Sequence, residues 1–480
     1  MTTELSRRRF ADVLTATVIA AYVLVALGTA VSTTDSAAAC SAWPTCATDP
    51  IVGSGTGDTL LYWGHRVAAL VAGCLVLASG LAARRVAVGR RVTALVGCAL
   101  VLFPVQVLLG ATIAVGGPSV AGPIHLALAM AIFGCLLVAL VFTLEEGTLE
   151  AESDRLTPTP NPSPDGDDAG GVSATAPQSA PRPTGRLVRL RRTIGAYLTL
   201  TKPRLMWLLC LVALAGMGLA TLSGAALEPA TALATLAGGV LAIGASGTFN
   251  HVYERDRDRR MDRTADRPLV HDLVPARNAV AFGVGLTVVA MTVLLTWVNA
   301  LAAVLTLAAI GYYAVLYTAV LKPNTAWNTV LGGGAGALPA VIGWVAVTGR
   351  VGLPAVALAA VIFLWTPAHF YSLAIAYRDD YARGGFPMYP VAEGVAAARR
   401  HIAFYLGATL LAASGLGWVA GLGWVYGVTS IALGTVFLRS VVRQFRRPTD
   451  EVALRSFYVS NYYLGAILLA IVLETLVIGS

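Results

Sequence analysis

Charge is what this 480-residue chain has least of. Asp, Glu, Lys and Arg make up 12% of it, against 56% apolar residues and a mean hydropathy of +0.71. Soluble domains carry roughly twice that share of charge, so a water-exposed globule is excluded. Lysine is nearly missing: Lys202 and Lys322 are the only two. The net charge of +8 is therefore arginine's, and the arginines sit in short loops between apolar runs. That is a pattern of membrane topology and not of nucleic-acid binding. Cysteine is scarce as well, and six in 480 residues exclude a disulfide-built scaffold. Cys74, Cys98, Cys135 and Cys210 fall inside apolar runs and are expected as small buried hydrophobes. Cys40 and Cys46, in the polar "CSAWPTC", are placed to close a disulfide if that loop is extracytoplasmic.

What is present is apolar sequence in lengths near 20 residues, the length a helix needs to cross a bilayer. Such runs lie near 12–32, 60–83, 92–115 and 121–143, and again near 205–223, 230–250, 278–297, 299–320, 325–347, 353–377, 402–420, 422–440 and 458–478. The chain reads as an all-α polytopic membrane protein of about thirteen spans. Its start, "MTTELSRRRFADVL", has the basic flank of a signal peptide but no clear small-residue cleavage site follows, so the first run is expected as a retained span. Residues 145–189 are rich in Pro, Ser, Thr, Gly and acid and are expected as a disordered linker, between a four-helix domain at 1–144 and a nine-helix domain at 190–480. "SRRR", "ARRVAVGRR", "RLVRLRR" and "RSVVRQFRR" fall on one side if spans alternate. That side, with the N-terminus and the charged loops of the second block, is expected in the cytoplasm, at the cell membrane.

Charge is crowded into "NHVYERDRDRRMDRTADRPL", residues 250–269, with five acids and six arginines between two apolar runs. Asn250, Glu254 and Asp258 recur every four residues, so they line one stripe if the preceding helix continues past the membrane, while Asp256 points elsewhere. Three oxygen donors on a stripe suit a hard cation such as Mg²⁺, which keeps coordination sites for water and phosphate oxygens. Arg255 and its neighbours interleave as forks matched to phosphate. A second loop supplies Arg378, Asp379 and Asp380, and Lys202, Arg204 and Lys322 add cations at other helix ends on the same side. Acids and cations at the mouth of an apolar cavity are what a metal–diphosphate on a lipid tail requires. A solvated, topology-setting loop is the alternative reading of the same charges.

Four stretches around these residues, "YLTLTKPRLMWL", "NHVYERDRDRRMDRTADRPL", "YTAVLKPNTAWNTVLGGGAGALPAVIGW" and "FLWTPAHFYSLAIAYRDDYARGGFPMYPV", resemble the UbiA-type intramembrane prenyltransferases. Within that family they are similar to the haem O synthases, the protohaem IX farnesyltransferases, over about residues 190–478. The resemblance implies farnesyl diphosphate and haem b as substrates. It implies Mg²⁺-assisted ionisation, attack by a haem vinyl group on the allylic cation, and capture of water to give haem O. By motif position it implies Asn250, Glu254, Asp258 and Asp379 or Asp380 at the metal, and Lys202, Arg204, Arg255, Arg267, Lys322 and Arg378 at the diphosphate. His369 in "TPAHFYSL" matches a family histidine, to be read either as facing the haem or as a satisfied intramembrane side chain. Glu254 stands where the family usually has aspartate, one methylene longer.

In the first block, His65 of "LYWGHRVAAL" and His125 of "GPIHLALAM" open the second and fourth spans at similar depth. Such a pair either ligates one haem iron axially or packs as two independent side chains. "CSAWPTC", "GHRVAA", "VQVLLGATIAVGG" and "IHLALAMAIF" resemble one half of a haem A synthase over about residues 10–143. That implies haem held by His65 and His125, with a haem A synthase or a second copy of the chain as partner. Tyr62 stands where that family often has glutamate, and no second half follows, which leaves pairing, haem binding or hand-over, and a remnant all open. For the whole chain the competing readings are a prenyltransferase acting on a quinone precursor or other lipid, a transporter, and a haem-binding assembly protein. Against transport, the charges gather at one face instead of the membrane midplane.

Overall fold

A computed structural model describes residues 2–33, 57–156 and 186–478, and every regular element among them is helical. Cys40 and Cys46 lie outside the described residues. The first block is α1 (Thr2–Thr33), α2 (Gly57–Arg85), α3 (Arg90–Ala114) and α4 (Ala121–Leu156). The second begins with α5 (Arg186–Leu200), α6 (Pro203–Thr221), α7 (Pro229–Asp258), α8 (Ala276–Trp297) and α9 (Ala300–Gly311), which runs on as a π-helix over Tyr312–Leu321. It continues through α10 (Lys322–Asn324), α11 (Asn328–Thr348), α12 (Leu353–Ala376), α13 (Arg378–Arg383), α14 (Tyr389–Ala392), α15 (Val395–Ala420), α16 (Trp424–Arg446) and α17 (Asp450–Leu473), closing in a π turn at Glu474–Ile478. Thirteen helices among the described residues are long and apolar enough to cross a membrane, in the order the hydropathy predicts.

Three local expectations change. The segment expected as linker is helical at both ends. α4 continues to Leu156 through "EEGTLEAESDRL", rich in helix formers, and α5 occupies Arg186–Leu200. α5, at 15 residues, is too short for a span, yet its Ala196 and Leu200 bury against Leu269, Val274 and Ala279. The cysteines of the spans are less buried than expected: Cys74 and Cys98 are exposed, Cys135 and Cys210 partly so. On a membrane helix an outward face meets lipid, so a small apolar side chain has no need of the core.

Glycine sets how closely the helices approach. A Cβ on Gly343 of α11 would stand 2.0 Å from the Ala213 carbonyl oxygen of α6, and one on Gly216 of α6 2.3 Å from that of Ala340. The two backbones therefore touch, as in small-residue membrane packing. The first block joins the second through α1 and α4, which pack on α15 and α16. There the buried Tyr22 seats its ring over Gly434 and donates its hydroxyl to the Ser430 carbonyl at 2.7 Å, while Leu137 fills the space over Gly407. Glu474, an acid near the end of the last span, accepts the backbone N–H groups of Gly423 (2.8 Å) and Tyr426 (2.9 Å) at the start of α16. A carboxylate there meets the positive end of the helix.

Candidate active site

α7 does not stop where its apolar run ends but continues to Asp258, so Asn250, Glu254 and Asp258 share one stripe. All three are buried, while the Asp256 side chain is 81% exposed. Each faces a cation from a different element. Lys202, in the turn before α6, donates to the Asn250 amide oxygen. Lys322, in the first turn of α10, donates to Glu254. Arg267 returns from the loop after α7 to reach Asp258 at 2.6 Å and Glu254 at 3.4 Å. The longer glutamate thus sits between Lys322 and Arg267, one carboxylate oxygen to each.

Local backbone chemistry brings the cations in. Lys202 adopts a left-handed conformation (φ 54°) immediately before Pro203, a conformation a non-glycine residue holds only when its surroundings fix it. Gly247 makes the crossing possible, because a Cβ there would meet the Leu200 carbonyl at 2.9 Å. Burial pulls the Lys202 ammonium down to about 8, against the carboxylates of Glu254 and Asp258, which hold it up. The π-helix sets the facing wall. Its wider turn puts Tyr313 and Thr318, five residues apart, on one face: Tyr313 meets the Lys202 ammonium at 3.3 Å, and Thr318 accepts from the Asn250 amide at 3.1 Å.

The second charged loop does something other than extend the stripe. Asp380 is buried and accepts the backbone N–H groups of Asp262 (2.8 Å) and Arg263 (3.2 Å), with Arg383 at 2.5 Å. It clamps the turn that leads back to Arg267. The Asp379 side chain is 79% exposed and pairs with Arg378, which also reaches Asp450 at 3.0 Å. Arg204 is exposed, and Arg255 turns toward Asp272 at 3.5 Å. Of the residues the motifs assign to metal and diphosphate, Asn250, Glu254, Asp258, Lys202, Arg267 and Lys322 come together. Arg204, Arg255, Arg378, Asp379 and Asp380 do not join them. Among the described residues no group of three or more His, Cys, Asp and Glu side chains stands close enough to hold a metal. Any metal here relies on two carboxylates, an amide and the oxygens of its ligand.

Phe386 places its ring 4.4 Å from the Lys322 ammonium and 4.9 Å from the Arg257 guanidinium, and Arg263 donates to the Tyr381 hydroxyl at 2.8 Å. Tyr313, Thr318, Phe386 and Tyr381 all escape a search for charge, the signal that marks the rest. His369 is sandwiched between Trp365 and Phe457, with centroids at 4.1 and 4.3 Å, and its Nδ1 is 2.7 Å from the Ser460 hydroxyl. In the first block, α1 and α3 each pack on both α2 and α4, and across the diagonal His65 on α2 and His125 on α4 stand near enough to interact electrostatically. Each imidazole backs onto glycine, His65 on Gly28 and His125 on Gly110, and each has a buried Nδ1 without a hydrogen-bond partner.

The UbiA prenyltransferase family matches residues 209–464, the part that holds the stripe with Arg267 and Lys322. A protoheme IX farnesyltransferase of Haloarcula marismortui is 52% identical over 98% of this chain and 99% of its own length. One from Haloquadratum walsbyi is 50% identical over 99% and 98%. Both alignments therefore take in the first block. One from Saccharopolyspora erythraea, 43% identical, covers 96% of itself but 63% of this chain. A solved structure of digeranylgeranylglyceryl phosphate synthase shares the fold over 59% of this chain and 98% of its own, at a TM-score of 0.50 and 14% identity. With half its residues matched along nearly its whole length, this chain belongs to the UbiA prenyltransferase family, among the protoheme IX farnesyltransferases.

Proposed function

We propose that this chain transfers a farnesyl group from farnesyl diphosphate to a vinyl group of protohaem IX, making haem O in a Mg²⁺-dependent reaction. The observation that carries the reading is the triple pairing along α7: Lys202 with Asn250, Lys322 with Glu254, and Arg267 with Asp258. Hard carboxylate and amide oxygens on one stripe fit Mg²⁺, and Asn250, Glu254 and Asp258 would hold it. Bound there, the ion supplies positive charge to the departing diphosphate. The chain's own cations do the same work from fixed positions. Lys202, Lys322 and Arg267 are already aimed at one site by their partners on α7, so little reorganisation remains when a diphosphate arrives. Arg267 offers a fork and the lysines point charges. The apolar bundle around α7 keeps water from the allylic cation until the vinyl group has attacked. Asp379 and Asp380 stay outside this set, Asp380 holding the turn that carries Arg267.

The same reading puts the stripe at the cytoplasmic face of the cell membrane, on the arginine pattern of the loops. It also gives the first block a haem site, supported by the unpartnered Nδ1 atoms of His65 and His125. The deciding experiment supplies purified protein with farnesyl diphosphate, Mg²⁺ and both haem b and hydroxybenzoate, and weighs the extracted products. Haem O should form, vanish with chelator and return with Mg²⁺. Prenylated hydroxybenzoate in place of haem O would overturn the acceptor and favour the quinone-precursor reading.

A further inference from the structure

A second cluster adjoins the stripe, and its polar atoms are not balanced. Tyr371 on α12, Tyr389 on α14, and His401 and Tyr405 on α15 gather with Trp327, the residue before α11. Ring centroids lie 5.2 Å apart for Tyr371–Tyr389, 4.4 Å for Tyr389–His401, 5.5 Å for Trp327–His401 and 6.2 Å for His401–Tyr405. The Tyr389 hydroxyl and His401 Nε2 are 3.0 Å apart. His401 Nδ1 and the hydroxyl of the fully buried Tyr371 have no partner. A buried hydroxyl without a partner is destabilising, a cost phenylalanine would avoid while filling nearly the same space. Two such atoms in one aromatic cluster point to a ligand that completes them.

The position fits the reaction. Tyr389 follows Phe386, whose ring lies under Lys322, by three residues, and Trp327 follows Lys322 itself by five. Two separate chain paths thus tie the cluster to the site where the diphosphate leaves. Trp327, 46% exposed, forms its open side. A free imidazole nitrogen within an aromatic cluster suits a metal macrocycle better than a phenolic acid.

We propose that this cluster is the acceptor subsite. His401 ligates the iron of protohaem through Nδ1, Tyr371 donates to a polar edge, and the tilted rings of Trp327 and Tyr389 flank the macrocycle. For Nδ1 to offer a lone pair, Nε2 carries the proton and donates to the Tyr389 oxygen, as the 3.0 Å contact permits. The proposal rests on the protohaem reading above.

The test uses the full chain carrying His65→Ala and His125→Ala, which removes the other paired imidazoles. Titration with ferric protohaem should shift the Soret band, and adding His401→Ala should weaken binding by at least about tenfold. Metal-free protoporphyrin should lose far less from the same change. In the otherwise unaltered chain, Tyr371→Phe should raise KM for haem and leave KM for farnesyl diphosphate alone. Binding of a non-hydrolysable farnesyl diphosphate analogue by the His401→Ala chain should match that of its parent, which separates a lost subsite from a lost fold. Undiminished haem binding by His401→Ala, while the unaltered chain still makes haem O, overturns the subsite and leaves the function standing. Failure of the unaltered chain to farnesylate haem at all overturns both.

Discussion

Glu254 and Asp258 are buried carboxylates, and each depends on a cation brought from elsewhere in the chain. Glu254→Gln or Asp258→Asn is expected to lower kcat about 10²–10³-fold, the usual loss when one fixed charge stabiliser is removed. Asp379 belongs to the same short loop motif as Asp380, yet its side chain is solvated. Asp379→Asn should therefore leave kcat/KM within about twofold, as exposed substitutions usually do. Asp380→Asn should behave differently again. It weakens acceptance of the two backbone N–H groups of Asp262 and Arg263, so thermal stability should drop by about 1–3 kcal/mol. The Mg²⁺ dependence should stay where it was, because the carboxylate is not at the stripe. Mg²⁺ titrations on the four variants, with melting curves, test these outcomes together.

At the level of elements, the π-helix and the turn after α7 decide which side chains reach the stripe. Tyr317 of the π-helix packs its ring where a Cβ on Gly332 of α11 would lie, 2.3 Å from the nearest ring atom. Gly332→Val should displace that ring and with it the wall carrying Tyr313, Thr318 and Lys322. The expected cost is about 1–3 kcal/mol of stability, with KM for farnesyl diphosphate rising while the KM for haem stays. A melting curve and the two KM values check it. Periodicity locates α7 and its stripe because four-residue spacing survives in any α-helix. It gives no hint of Tyr313 and Thr318, since five-residue spacing is in register only when the helix widens. The position of Asp380 away from the stripe is hidden for a related reason. Its neighbours in sequence are those of a metal site, but its partners are backbone amides of a turn more than a hundred residues earlier.

Across the molecule, the first block is part of one continuous core with the second, through α1 and α4 on α15 and α16. The Glu145–Arg400 pair at 3.2 Å adds little to so large an apolar seam. Residues 1–156 and 186–480, expressed as two separate chains, should therefore copurify. Gly407→Leu with Gly434→Leu should part them, because Leu137 and Tyr22 would lose the hollows they fill. Co-elution on size-exclusion chromatography in detergent reads the result.

Composition and hydropathy by themselves determined the class of this protein, its thirteen spans and their order, because crossing a bilayer demands apolar length wherever the helix sits. Four-residue spacing also determined the stripe of Asn250, Glu254 and Asp258, which a single helix carries. Only the tertiary structure decided which charges meet that stripe. Lys202, Arg267 and Lys322 come from three elements, and Arg204, Arg255 and Arg378 carry the same charge on helix ends or loops that point away. Charge is legible in sequence one residue at a time, whereas a site is made by convergence, which depends on turns, π-bonded registers and glycine contacts that no local pattern encodes.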